Sequence, residues 1–181
     1  MSTARRLRIA VIGAGMSGIL CGIKLREAGL GDVVIYEKAD RIGGTWRENR
    51  YPGLSCDVPS HSYTYSFEPN PEWSHLFSPG PEIQAYFEGV VEKYDVAKLI
   101  RFSSPIVRAE YDAGRWQLTT ADGGTDTFDA VIAATGFLHQ PAYPDIPGLD
   151  SFEGAAFHSA RWDDRVSLKG LTRHQWVYEA M

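Results

Sequence analysis

Apolar residues in the first part of the chain come in short β-branched runs separated by a helical stretch. Ile9–Ile12 is a compact apolar run that reads as a buried strand. Beyond Gly18 the apolar positions Ile19 and Ile23 fall at helical spacing, and the pattern runs to Gly29, which stands where a helix ends in a left-handed residue. Val33–Tyr36 is a second β-branched run, expected to be the next strand. From Lys38 to about Pro81 the periodicity disappears into a loop-like segment rich in Gly, Pro, Ser and aromatics. Trp46, Tyr51, Tyr63, Tyr65, Phe67 and Trp73 are too many aromatics for a disordered linker, so the loop is expected to line a site. Pro81–Tyr94 returns to helical spacing, with Pro81 suited to the first helical position and Ile83, Phe87, Val90 and Tyr94 on one face. From Leu99 the period becomes two: Val107, Ala109 and Tyr111 alternate with Arg108 and Glu110. Turns at Ala113-Gly114 and Asp122-Gly123-Gly124 then lead through Trp116–Thr120 to Thr125–Phe128, which predicts a β-meander. Ala130–Ala134 is a small apolar run expected to be buried on both faces in a parallel sheet.

The first strand runs directly into Gly13-Ala14-Gly15-Met16-Ser17-Gly18, and Glu37 ends the second strand 19 residues after Gly18. Each residue in this unit has a physical reason. Gly13 permits the tight turn, Gly15 lets backbone approach a pyrophosphate, and Gly18 allows close helix–strand packing. The helix N-terminus offers free N–H groups and partial positive charge to phosphates. Glu37 can accept both hydroxyls of an adenosine ribose and disfavours a 2′-phosphate, so the site is expected to hold FAD or NAD rather than NADP. Strand, glycines, helix, strand and acid in this order and spacing mark a dinucleotide site far more specifically than the glycines alone. Gly136, in Ala134-Thr135-Gly136, is a further point of close backbone approach.

Composition narrows the partners. The chain has 181 residues, 44% apolar and 23% charged, as in an ordinary globular protein. A net charge of −5 without a basic run argues against nucleic acid. No apolar run approaches a membrane span, and the residues after Arg5, Arg6 and Arg8 form a strand rather than a signal-peptide core, so a cytoplasmic location is expected. Cys21 and Cys56 are too few for a disulfide framework and lack ligand spacing. The histidines at 61, 75, 139, 158 and 174 show no i, i+4 pairing, so no metal is expected.

With these residues in place the chain resembles a known family. Gly-x-Gly-x-x-Gly, acid, Gly-Gly-x-Trp, meander and Ala-Thr-Gly follow the FAD-binding half of the two-dinucleotide flavoproteins of the glutathione reductase type. Thr125 and the run from Ala130 to Gly136 match that group's second motif. Gly43-Gly44-x-Trp46, Tyr51-Pro52-Gly53 and Asp57 are similar to the first motif of the Baeyer–Villiger monooxygenases. Phe152-x-Gly154, His158 and Trp162-Asp163 are similar to their second. The resemblance implies an α/β fold: a Rossmann-like FAD-binding domain with parallel sheet, β-meander and long aromatic loop, spanning residues 1–148. An interdomain linker and divergent tail would occupy 149–181. It implies FAD and NADPH as cofactors and a small-molecule ketone and O2 as substrates, one oxygen being inserted beside the carbonyl to give an ester or lactone. Residue by residue, it implies Gly13, Gly15, Ser17 and Gly18 around the FAD pyrophosphate and Glu37 on its ribose. Gly44, Thr45 and Trp46 belong to the flavin-side portion, with Tyr63 near the ring system, and Ile106 (or Val107) meets the adenine. Asp57 matches the active-site carboxylate that pairs with a catalytic arginine and the nicotinamide part of NADP. His158 and Trp162 match a linker that transmits domain motion.

The family's second glycine motif, for NADP, is expected after Leu168-Lys169-Gly170, where this sequence instead reads Leu-Thr-Arg-His-Gln-Trp-Val-Tyr-Glu-Ala-Met. The expectation is therefore a chain truncated before the NADP domain, or one half of a split enzyme whose partner chain supplies that domain. A non-catalytic FAD-binding fragment is the alternative to an active monooxygenase. An N- or S-oxygenating flavin monooxygenase is a third reading, and Trp162-Asp163 counts against it. A sheet incomplete at its edge predicts low stability or aggregation of the isolated chain.

Overall fold

The computed structural model describes residues 6–138, 140–167 and 169; His139, His174 and the divergent tail fall outside them. A four-stranded parallel sheet, in the order β3-β2-β1-β7, lies between a helical layer and a three-stranded antiparallel meander. Its strands are β1 (Arg8–Ile12), β2 (Asp32–Tyr36), β3 (Ile100–Arg101) and β7 (Ala130–Ala133). The helices are α1 (Met16–Glu27), the single turn α2 (Thr45–Glu48) and α3 (Gly80–Lys93). The meander is β4 (Ile106–Asp112), β5 (Arg115–Thr120) and β6 (Thr125–Phe128).

Strand alternation explains the layers. Successive side chains point to opposite faces of a sheet. Val11, Val33 and Ile35 therefore join Ile19 and Ile23 of α1 and Phe87 of α3 in one core. Ala10 and Tyr36, one residue out of phase, pack against Leu118 and Phe128 of the meander. Helix α1 stops as its sequence predicts: Gly29 takes φ +64°, and Leu30 N–H reaches back to Leu25 O (3.1 Å), closing the helix end. The predicted helix at Pro81–Tyr94 forms one residue earlier, with Pro79 preceding it in an extended conformation.

The segment from Lys38 to Pro81 is ordered by its aromatics. Tyr65 stacks on Phe67 (5.2 Å between centroids) and meets Phe87, while Trp73 lies against Tyr86. The Tyr65 hydroxyl donates to Met16 O at 2.5 Å, fastening the loop to the start of α1, and burial pushes this phenol well above its ordinary range.

Two expectations need correction. Ala130–Ala133 is not buried on both faces: Ala130, Val131 and Ile132 are half-buried and Ala133 is exposed, because β7 pairs with β1 and forms the edge of the described sheet. Nor is the alternating strand β4 half-buried: beyond Ile106 both of its faces are exposed, Val107, Ala109 and Tyr111 as well as Arg108 and Glu110. An irregularity between Ile106 and Arg108 inserts Val107 as an extra residue. Ile106 then packs inward instead, and Val107 and Tyr111 are 64% and 62% exposed.

Candidate functional site

The turn between β1 and α1 is built for close approach of chain to chain. Gly13 has φ +105° and donates its N–H to Tyr36 O at 2.7 Å. A Cβ on Gly18 would lie 1.9 Å from Gly13 O, so no side chain fits where α1 crosses the turn. The N-cap of α1 is Gly15, and no side chain caps the helix, leaving its first-turn N–H groups to an outside acceptor. Met16 and Ser17 are exposed at this end. The second strand delivers Glu37 to the same place. Glu37 is buried, and its carboxylate accepts from Ala14 N–H (2.7 Å) and Ala39 N–H (3.0 Å). A carboxylate has about four acceptor positions, so it keeps capacity for a ribose hydroxyl.

Gly43 and Gly44 close the other side of this cradle. Gly43 N–H donates to Ala14 O at 3.1 Å. A Cβ on Gly44, which has φ +54°, would come within 3.2 Å of the Gly15 Cα. The glycine pair thus lies directly on the glycine turn and leads into α2, which carries Thr45, Trp46 and Arg47. Trp46 Nε1–H donates to the Tyr63 hydroxyl at 3.0 Å, their rings meeting edge-on at 5.5 Å. Burial pushes the Tyr63 hydroxyl above its ordinary range, and the Trp46 hydrogen bond opposes this.

Asp57 is exposed, on a loop fixed at both ends. Cys56 N–H bonds to Ser78 O (2.9 Å), and Ser60 N–H to Leu76 O (2.8 Å). Two buried hydroxyls lock the seam: Ser78 Oγ–H donates to Ser60 Oγ at 2.6 Å, and Ser60 Oγ reaches the carbonyls of His75 and Leu76. Asp57 therefore stands on a rigid mount on the Tyr63 side of the site.

Ile106 begins β4 two residues after Ser104, whose N–H donates to the backbone carbonyl of Glu37 at 2.9 Å. Gly136 takes φ +72° two residues beyond Ala134, whose carbonyl oxygen would sit 2.5 Å from a Cβ on Gly13. The second motif stretch packs nearby. Asp40, Arg41, Arg47, Glu48 and Arg50 face Arg161 and Trp162 across a cleft of about 520 Å³, and Arg50 pairs with Asp164 at 3.7 Å. His158 caps a short 3-10 turn, its Nδ1 accepting from Ala160 N–H at 3.0 Å. Asp163 is occupied by Arg165, whose hydrogen bonds hold its carboxyl down at about 2.

The structure thus gathers Gly13, Gly15, Gly18, Glu37 and Gly44 at one end of the sheet, with Trp46, Tyr63 and Asp57 along the adjoining loop, while Ile106 packs under the meander. The sequence reading missed Arg47, whose guanidinium is 8% exposed and lies beside Glu37, and the Ser60–Ser78 clamp. Both depend on contacts that single-chain periodicity does not encode. Glycines that admit no Cβ, an uncapped helix start and a buried acid fit the pyrophosphate and ribose of an adenine dinucleotide.

A family model described as an NAD(P)-binding Rossmann-like domain matches residues 11–79. An uncharacterized monooxygenase of Mycobacterium tuberculosis is 55% identical over 168 residues, covering 93% of this chain and 34% of that protein. A Baeyer–Villiger monooxygenase of Streptomyces coelicolor is 48% identical over 166 residues, covering 91% of this chain and 32% of that protein. The crystal structure of OTEMO in complex with FAD and NADP superimposes with a TM-score of 0.79 at 37% identity, over 87% of this chain and 31% of that one. The chain spans about a third of the length of the curated relatives it matches. Over this Rossmann-like α/β part the chain is similar to Baeyer–Villiger monooxygenases.

Proposed function

We propose that this chain is the FAD-binding part of a flavin-dependent monooxygenase of the Baeyer–Villiger type. The observation that carries the reading is the buried Glu37 carboxylate, bonded to Ala14 N–H beside the uncapped start of α1. In this reading Gly13, Gly15, Ser17 and Gly18 receive the pyrophosphate, Glu37 the adenosine ribose and Ile106 the adenine. Gly44, Thr45, Trp46 and Tyr63 line the flavin side, and Gly136 flanks the glycine turn. The domain spans residues 1–148, and 149–181 act as a linker and tail.

Bound FAD would supply the redox chemistry and the activation of O2, with NADPH as reductant and a ketone as substrate. The chain's own residues bind and orient. The first turn of α1 offers N–H groups to phosphate oxygens. The Trp46–Tyr63 pair presents a rigid, partly apolar wall that excludes water. Asp57, on its clamped loop, holds a negative charge where an arginine from further polypeptide can pair with it. The free cysteines at 21 and 56 suit the cytosol, where this reading places the protein.

The test is the visible absorbance spectrum of the purified chain after incubation with FAD, with the released flavin identified by chromatography. A stoichiometric FAD band is expected. A folded, soluble chain that stays colourless with excess FAD overturns the proposal. A second reading, a flavin-binding unit that turns over only together with further polypeptide, is favoured by the shared third of the relatives' length. It predicts an FAD band without ketone-dependent NADPH consumption.

A further inference from the structure

Beside the glycine turn four side chains alternate in charge. Arg47 Nη1 lies 3.5 Å from Glu37 Oε1, Arg47 Nη2 lies 2.9 Å from Glu48 Oε1, and Lys38 Nζ lies 2.8 Å from that same Glu48 oxygen. The side chains of Arg47 and Glu37 are 8% and 5% exposed, so solvent screens their contact little. Helix α2 is a single turn and does not need an arginine for its own sake. Glu37 is instead gripped from three separate places: Ala14 N–H on Oε2, and Ala39 N–H and the Arg47 guanidinium on Oε1. Donors on both oxygens fix the plane of the carboxylate as well as its position. Arg47 Nη1 also donates to Arg41 O at 3.4 Å, so that nitrogen bridges the carboxylate and the loop backbone.

We infer that Arg47 is a positioning residue of the adenosine subsite: it locks the Glu37 carboxylate toward a ribose diol, while Glu37 and Glu48 together withhold it from a 2′-phosphate. Arg47 thereby sets the preference for a dinucleotide with a free 2′-hydroxyl. This rests on the FAD reading above. A residue that works through Glu37 has value only when the ligand carries the hydroxyl that Glu37 accepts, so its effect and the hydroxyl's effect are coupled rather than additive.

The experiment measures binding of FAD and of an FAD analogue carrying 2′-deoxyadenosine to the 181-residue chain, its Arg47→Met variant and its Arg47→Lys variant. Wild type is expected to prefer FAD. Arg47→Met is expected to weaken FAD binding roughly tenfold, the scale of a hydrogen bond to a charged group, and to change analogue binding several-fold less. Arg47→Lys is expected to recover most of the preference. Equal weakening of both ligands by Arg47→Met would make Arg47 a support of the loop and overturn the inference, as would no weakening of either. If Arg47→Met does not fold, Arg47→Gln takes its place, read by the same outcomes. Failure of the wild-type chain to bind either ligand is a separate outcome: it defeats the FAD reading, and the inference falls with it.

Discussion

The two faces of the parallel sheet are held in different ways. On the helical face a continuous core runs from Val11 and Ile35 through Ile19 and Phe87 to the aromatic loop, and every functional candidate except Ile106 and Gly136 is mounted on that side or at its end. On the meander face the buried apolar contact is small: Ala10, Tyr36, Leu118 and Phe128. A polar knot reinforces it. Arg8 donates to both Asp126 oxygens (2.9 and 3.1 Å) and lies over the Phe128 ring, while Arg101 reaches Tyr36 OH at 3.0 Å. One face is secured by dispersed packing, the other by a few anchors. The dispersed face can fix a site geometry that many residues determine together; the anchored face rests on a handful of side chains.

The sharpest way to break this comparison is to delete one large ring from each face. Phe87→Ala should destabilise by about 3–5 kcal/mol and, in chemical denaturation, take the aromatic loop and flavin retention with it. Phe128→Ala, also fully buried, should fall near the lower end of that range. In hydrogen exchange it should release the amides of β4–β6 while those of β1, β2 and α1 stay protected. Equal loss of protection on both faces after Phe128→Ala would mean the meander is part of the same cooperative unit.

Gly18→Ala comes next. Its Cβ would sit 1.9 Å from Gly13 O, and relieving the clash should cost about 1–3 kcal/mol, as overpacking does. Because the displacement falls on the turn itself, FAD affinity should drop even where thermal unfolding shows a folded chain; unchanged affinity would remove Gly18 from the site.

Acid gives the smallest effect. Burial works to raise the Asp126 carboxyl, but the Arg8 hydrogen bond and the Thr127 N–H outweigh it and hold Asp126 below its ordinary 3.8. A carboxyl depressed in the folded state stabilises above its unfolded pKa and loses that contribution as pH falls through the folded value. The meander should therefore loosen below about pH 4, reported by Trp116 fluorescence, by less than about 1 kcal/mol for so exposed a pair. Asp126→Asn should reduce that pH dependence, leaving the part due to Asp122, which the Thr120 hydroxyl also holds below its ordinary value.

Legibility in the sequence followed this same division. The glycine turn, both flanking strands, Glu37 and the stop at Gly29 are local features, and each was readable from neighbours in sequence. Helix α3 was readable because its apolar stripe faces a thick core. Strand β3 has two residues and exists only because Ile100 pairs with Ile35, so no periodicity could announce it. The alternation along β4 was readable, but not that both of its faces are exposed beyond Ile106, because that depends on where the strand lies in the meander. The Arg47–Glu37 contact joins residues from a strand end and a helical turn, and composition alone carries no sign of it. What the sequence showed most plainly was where backbone must come close to backbone; which side chains would meet across the loop had to be seen.

The pairing of β1 has a consequence for how the chain is made. Ile9–Ile12 are flanked by β2 on one side, but their other neighbour is Ala130–Ala133, and Arg8 is tied to Asp126 and Asp129 from the same distant stretch. On a ribosome, β1 must keep an unpaired edge until that stretch emerges, which at ordinary elongation speeds is a wait of roughly 6–24 s. Throughout it the chain carries an open template for a neighbouring nascent copy, and β1 is paired on both sides only when β7, the last strand of the described sheet, arrives.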